Sequence, residues 1–193
     1  MKNTPIKVVT VNAAILIAVG LMMGCTIIDR IQLGRQMKTM SDMQQIGYAY
    51  FSFFADSMGA ASAGSQKTHM NQSGARRLTQ DEILADLHPS DTRYFLAEIP
   101  WEDAWGHPFE VWRNDGGFVR SILIRSPGSD GVFEGDAYDT GPYLPTDYDN
   151  DIVWHGGYFI RYSEAAAMAL EKSGVSVIRR PISQEERDHM LSQ

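Results

Sequence analysis

The sequence predicts an α+β protein in which a long N-terminal helix packs on a small antiparallel β-sheet. Three observations predict it. An uncharged run, Val8 to Ile28, leads without a proline into an amphipathic stretch ending at Met58. After Pro89 the apolar period changes from that of a helix to that of strands. From Ser129 to Asp151 the chain carries seven acids and no Lys or Arg, matching the net charge of −7 of all 193 residues. A hydrophobic content of 44% with 21% charged residues fits a folded chain rather than a disordered one.

The run "VVTVNAAILIAVGLMMGCTII" has 21 residues between Lys7 and Asp29. As a helix it spans about 31 Å, close to the hydrocarbon thickness of a bilayer. Residues 1–28 are therefore expected to form an N-terminal tail and a transmembrane helix, with Lys2 and Lys7 favouring a cytoplasmic start. "LMMGC" places Gly24 before Cys25, as a lipoprotein signal would, and lipidation of Cys25 is the alternative. Met22 and Met23 occupy positions that such a signal fills differently, and Thr26, Ile27 and Ile28 prolong the apolar run, so an uncleaved anchor is expected.

Over 29–58, apolar residues recur at Leu33, Met37, Met40, Met43, Ile46, Tyr50, Phe53 and Phe54, the steps of three and four that mark one helix face. Gly34 and Gly47 interrupt it, and each allows bending or a close approach. Residues 59–92 read as a loop followed by a short helix. Its start is the capping box "TQDE" (79–82), and Pro89 follows its end. The sheet domain is expected over 93–163. "FEVWR" (109–113), the turn "NDGG" and "FVRSILIRS" (118–126) form a hairpin, and "YFIRY" (158–162) is a third strand. Ser163 caps a helix running to Lys172, which opens the helical tail 164–193; "SVIRRP" within it is a possible extra strand and "SQEE" (183–186) a second capping box.

The composition also excludes functions. No basic stretch offers a nucleic-acid surface. Cys25 alone cannot form an internal disulfide or a cysteine zinc site, and the five histidines are scattered. Neither G-x-S-x-G nor a phosphate-binding loop is present, so no enzymatic activity is expected.

The acidic loop, 126–152, points instead to a hard cation. Calcium accepts six to eight oxygens from an irregular loop. "DYDND" (147–151) begins like an EF-hand loop, but Ile152 stands where that loop needs glycine and Tyr158 where it needs glutamate. A different cage is expected, with Asp130 from the turn "GSDG" and Asp149, Asn150 and Asp151 closing from the other end; a solvated acidic loop is the alternative.

"DAWGHPFEVW" (103–112), "SPGSDG" (126–131) and "NDIVW" (150–154) occur in the order seen in the major, G-type pseudopilins of type II secretion systems, and the chain resembles that family over 103–154. The resemblance implies a type IV pilin-like fold and a structural subunit in the bacterial inner membrane with a periplasmic domain. It implies partners among copies of itself, other pseudopilins and secretion-system subunits. It also implies one calcium ion held by Asp130, the carbonyls of Pro127 and Val132, and the closing residues Asn150 and Asp151, with Asp149 compensating for the amide. The chain departs from the family in Ala104, which replaces a proline, and in lacking the Gly-Phe cleavage site and the glutamate that follows it. A monomeric anchored or lipidated calcium-binding protein is the alternative function.

Overall fold

The computed structural model describes residues 6–63, 75–90, 92–114, 120–135, 140–144 and 146–179, with side chains of the first helix described from 27 to 57. Helix α1 runs from Ile6 to Ala63 as one 58-residue element. The expected apolar face is the buried one. Met40, Met43, Ile46, Tyr50 and Phe54 lie in the core, while Leu33, Met37 and Phe53 pack against its edge.

The transmembrane half expected at 8–28 is not upheld. Among the described residues, no helix is long and apolar enough to cross a membrane. From Ile27 onward α1 carries Asp29, Arg30, Arg35, Lys38 and Asp42, charges that a hydrocarbon interior does not accommodate at that density. The side chains before Ile27, including that of Cys25, lie outside the described residues. A single-pass inner-membrane placement is therefore not supported, and the periplasmic location of the sheet domain falls with it.

The sheet has six strands in the order β1 (Arg76–Arg77), β2 (Glu110–Asn114), β3 (Ser121–Ser126), β5 (Ile152–His155), β6 (Tyr158–Ser163) and β4 (Gly141–Tyr143). The expected hairpin is β2–β3, in antiparallel register with Glu110 opposite Arg125 and Val111 opposite Ile124. Of the expected turn, 114–117, Asn114 instead ends β2 opposite Ser121, and residues 115–119 lie outside the described residues. The sheet is mixed rather than purely antiparallel, because β4 joins β6 in parallel. Strand β5 was not expected. Its run Ile152-Val153-Trp154 is buried on both faces and so lacks the alternation that marks a half-exposed strand.

One cross-strand row, Val111, Ile124, Trp154 and Phe159, is buried and turns toward α1. Trp154 reaches the helix backbone at Gly47, where an added Cβ would lie 2.3 Å from the indole. Phe51 flanks that ring at 5.5 Å between centroids. Helix α2 (Gln80–Leu87) starts at the capping box of Thr79 and Glu82, as expected. Ser163 caps α3 (Glu164–Lys172), which packs on α1 through Ala166, Ala167 and Leu170. Among the described residues the tail makes one parallel bridge, Arg179 to Phe159; the end of the expected strand, 180–181, lies outside them. Residues 183–186 lie outside the described residues.

Candidate functional site

The three stretches that carry the resemblance meet at one end of the sheet. Asp103 organises the first. Its Oδ1 accepts hydrogen bonds from the backbone amides of Trp105 and His107, both at 2.9 Å, closing a tight turn. Its Oδ2 accepts from the buried hydroxyl of Ser126, at the end of β3, at 2.7 Å. The turn is also tied to α1: the Ala104 amide donates to Thr39 Oγ1 at 3.1 Å, and the Trp105 indole donates to Gln32 Oε1 at 2.7 Å. Asp103 is therefore the joint between helix, loop and sheet.

The second and third stretches lie against each other. The Ser129 amide donates to the Tyr148 carbonyl at 2.8 Å. Gly128 has φ +73°, and a Cβ there would stand 2.7 Å from the Tyr148 carbonyl oxygen and 2.8 Å from that of Asn150. Only glycine combines that backbone with that clearance. His107 Nδ1 sits 2.9 Å from the Gly128 carbonyl and donates to it in the tautomer protonated there. Tyr148 in turn donates from its hydroxyl to Asp29 on α1 at 3.0 Å.

The two ends of the acidic loop are thus brought together, but the side chains expected to ligate calcium are divided among protein partners. Asp130 is exposed, and its Oδ1 accepts from the Val132 amide at 2.9 Å in a local turn. Asp149 accepts from the Ser129 hydroxyl. Asn150 accepts from Arg161 at 3.0 Å. Asp151 is fully buried; its Oδ2 accepts from the Glu134 amide at 3.3 Å, while Oδ1 has no partner. Pro127 is buried and Val132 is exposed. Asp136 and Asp139 lie outside the described residues. Among the described residues, no three or more His, Cys, Asp or Glu side chains gather as a metal centre.

Two arginines of the sheet, Arg125 and Arg161, contact the loop. Arg125, Val153 and Arg161 stand opposite one another on β3, β5 and β6. Arg125 donates to Glu110 through Nε at 2.6 Å and to the Gly135 carbonyl through Nη1 at 2.6 Å, and its guanidinium lies 4.4 Å over the Phe133 ring. Arg161 pairs with Glu134 at 2.8 Å as well as with Asn150. The loop is folded across these two cations. Arg125 and Arg161 were not singled out as site residues from the sequence. Their signal is their place inside strands that flank a segment devoid of bases.

Burial pushes the Asp151 carboxyl up to about 6, against the lowering effect of the Glu134 amide and of Arg125 and Arg161. The Tyr143 phenol, whose oxygen is buried without a partner, is raised as well, chiefly by burial. Both groups are buried where the loop meets the sheet.

No family model, curated protein or solved structure matches the chain at a significant level. Membership of the pseudopilins, a role in secretion and calcium binding therefore gain no support from known proteins, and the geometry adds none for calcium.

Proposed function

We propose that the chain is a structural subunit of pilin-like design, whose long helix makes contacts between copies. The observation that carries this reading is the extent of α1. The turn at Trp105 and the loop at Tyr148 reach α1 at Gln32 and Asp29, and the helix continues back to Ile6. That leading part, residues 6–28, extends for about 35 Å at about 1.5 Å per residue. At its described edge Ile27, Ile28 and Ile31 are 58%, 57% and 52% exposed. The residues before them are an uncharged apolar run. An apolar helix of that length needs a cover. Neighbouring helices of the same kind supply one, giving a bundle with the sheet domains outside.

The clamp at Asp103 and the arginine-held loop fit this role, since a subunit under load needs its globular part fixed rigidly to its rod. The ordered motifs shared with the G-type pseudopilins support the same reading by resemblance.

Sedimentation velocity on the full chain tests the proposal. The expected result is assemblies much larger than 21.6 kDa, reduced in size by the paired change Ile28→Asp and Ile31→Asp. The altered positions are exposed, so the thermal melt of the sheet domain is expected to stay unchanged. A native chain that sediments as a monomer refutes the proposal.

A further inference from the structure

Among the described residues, nothing covers one side of α1 where it enters the sheet domain. Ile27, Ile31, Gly34 and Arg35 follow one another at helical steps of three and four, share that side, and are all exposed. Asp29 and Gln32, which receive the Tyr148 hydroxyl and the Trp105 indole, stand two residues from Ile31 and Gly34. They therefore lie on the other side of the helix. The chain's own loop and turn hold one side of α1 and leave the opposite side open.

Two features of the open side serve no contact among the described residues. Gly34 sits within a continuous helix, where glycine is unfavourable, and a Cβ there meets nothing within 4 Å. Gly47, by contrast, makes room for Trp154. Arg30 and Arg35 are exposed, and neither has an ion pair, whereas Lys38 is held by Asp42. The acidic loop carries the complementary charge. Asp130 and Asp147 adjoin the Ser129–Tyr148 hydrogen bond that joins its ends, and both are exposed. Val132 and Leu144 of the same loop are 63% and 67% exposed.

We infer that the open side of α1 in one copy docks on the acidic loop of a second copy, an inference that rests on contact between copies along α1. Ile27 and Ile31 meet Val132 and Leu144, and Arg30 and Arg35 meet Asp130 and Asp147. Gly34 lets the neighbouring loop approach the helix backbone closely. Pairing two such helix sides with each other is disfavoured, because it sets the arginines of both copies together. The two surfaces differ and belong to different sides of one molecule. The contact is therefore head-to-tail, which builds rings or filaments rather than a two-fold dimer.

Reciprocal charge reversal on the full chain, followed by sedimentation velocity, is the test. Arg30→Glu with Arg35→Glu, and separately Asp130→Lys with Asp147→Lys, are each expected to raise the concentration needed for assembly by about tenfold or more. An equal mixture of the two variants is expected to recover large assemblies, because each reversed surface then finds a complementary one. That recovery also shows both variants to be folded. Gly34→Leu improves helix propensity and is expected to weaken assembly without lowering the thermal melt. Native-like assembly of either charge variant alone, a mixture that stays small, or unchanged assembly of Gly34→Leu overturns the inference and leaves contact through the leading part of α1 standing. A native chain that is monomeric overturns both.

Discussion

Replacing Gly47 with alanine sets two opposing effects against each other at the helix–sheet contact. Alanine in a helix interior is favoured over glycine by about 1 kcal/mol. Against this, the new Cβ would lie 2.3 Å from Cη2 and 2.5 Å from Cζ2 and Cζ3 of Trp154. The indole is fully buried, and Phe51 and Tyr48 flank it at 5.5 and 6.4 Å. A rigid ring held on several sides cannot step aside as a flexible side chain would. Overpacking of this kind costs about 1–3 kcal/mol, with contacts this short toward the upper end. The net expectation is a loss of about 1–2 kcal/mol, or about 2–8 °C in Tm for a chain of this size. Gly34 is the internal control: it lies on the same helix, and a Cβ there meets nothing within 4 Å. Gly34→Ala is therefore expected to stabilise by up to about 1 kcal/mol. Urea unfolding of both variants, and of Gly47→Ala combined with Trp154→Phe, measures the coupling. In the smaller ring's presence the alanine penalty is expected to shrink by about 1 kcal/mol or more. Should Gly47→Ala stabilise as much as Gly34→Ala, the close approach of Trp154 to α1 is refuted.

Other predictions concern the site. The folded-state value of the Asp151 carboxyl, about 6, exceeds the ordinary 3.8, so the native state holds this proton more tightly. The contribution of this group to stability is largest below about pH 4 and is lost as the pH rises through about 6. Asp151→Asn is expected to remove that slope and to be the more stable form at pH 7 by about 1–3 kcal/mol, read from urea unfolding at a series of pH values. Asp103→Ala leaves the Trp105 and His107 amides and the Ser126 hydroxyl without their acceptor, and is expected to cost about 3 kcal/mol or more in the same assay. With Asp130, Asp149 and Asn150 each held by a protein partner, EDTA is expected to leave the Tm within about 1 °C. A clear rise on adding calcium would instead return the loop to the ion.

Much of the fold was legible in the sequence because its signals are local. The stripe Met40, Met43, Ile46, Tyr50 and Phe54 follows the helical period, and the same residues form the core. The caps at Thr79 and Ser163 were readable because capping depends on residues within one turn. Strand β5 was not, since Ile152, Val153 and Trp154 are all buried and leave no alternation to detect. The apolar run at 8–28 has the length of a span, but among the described residues no helix is long and apolar enough to cross a membrane. In the acidic loop, the meeting of 126–131 with 148–151 was expected, and Gly128 under the Tyr148 and Asn150 carbonyls is where they meet. What escaped was the source of positive charge. Arg125 and Arg161 come together only through the register of three strands, which no short-range pattern encodes.

Cys25, the single cysteine and a residue of the leading part of α1, offers the most direct test of whether that helix packs against copies of itself. A nitroxide attached there would report intermolecular dipolar coupling in the assembled full chain. Helices in contact lie about 8–10 Å apart, and the account predicts a defined distance distribution on the order of 10–30 Å that vanishes on dilution with unlabelled chain. A featureless decay at every labelling ratio would contradict it.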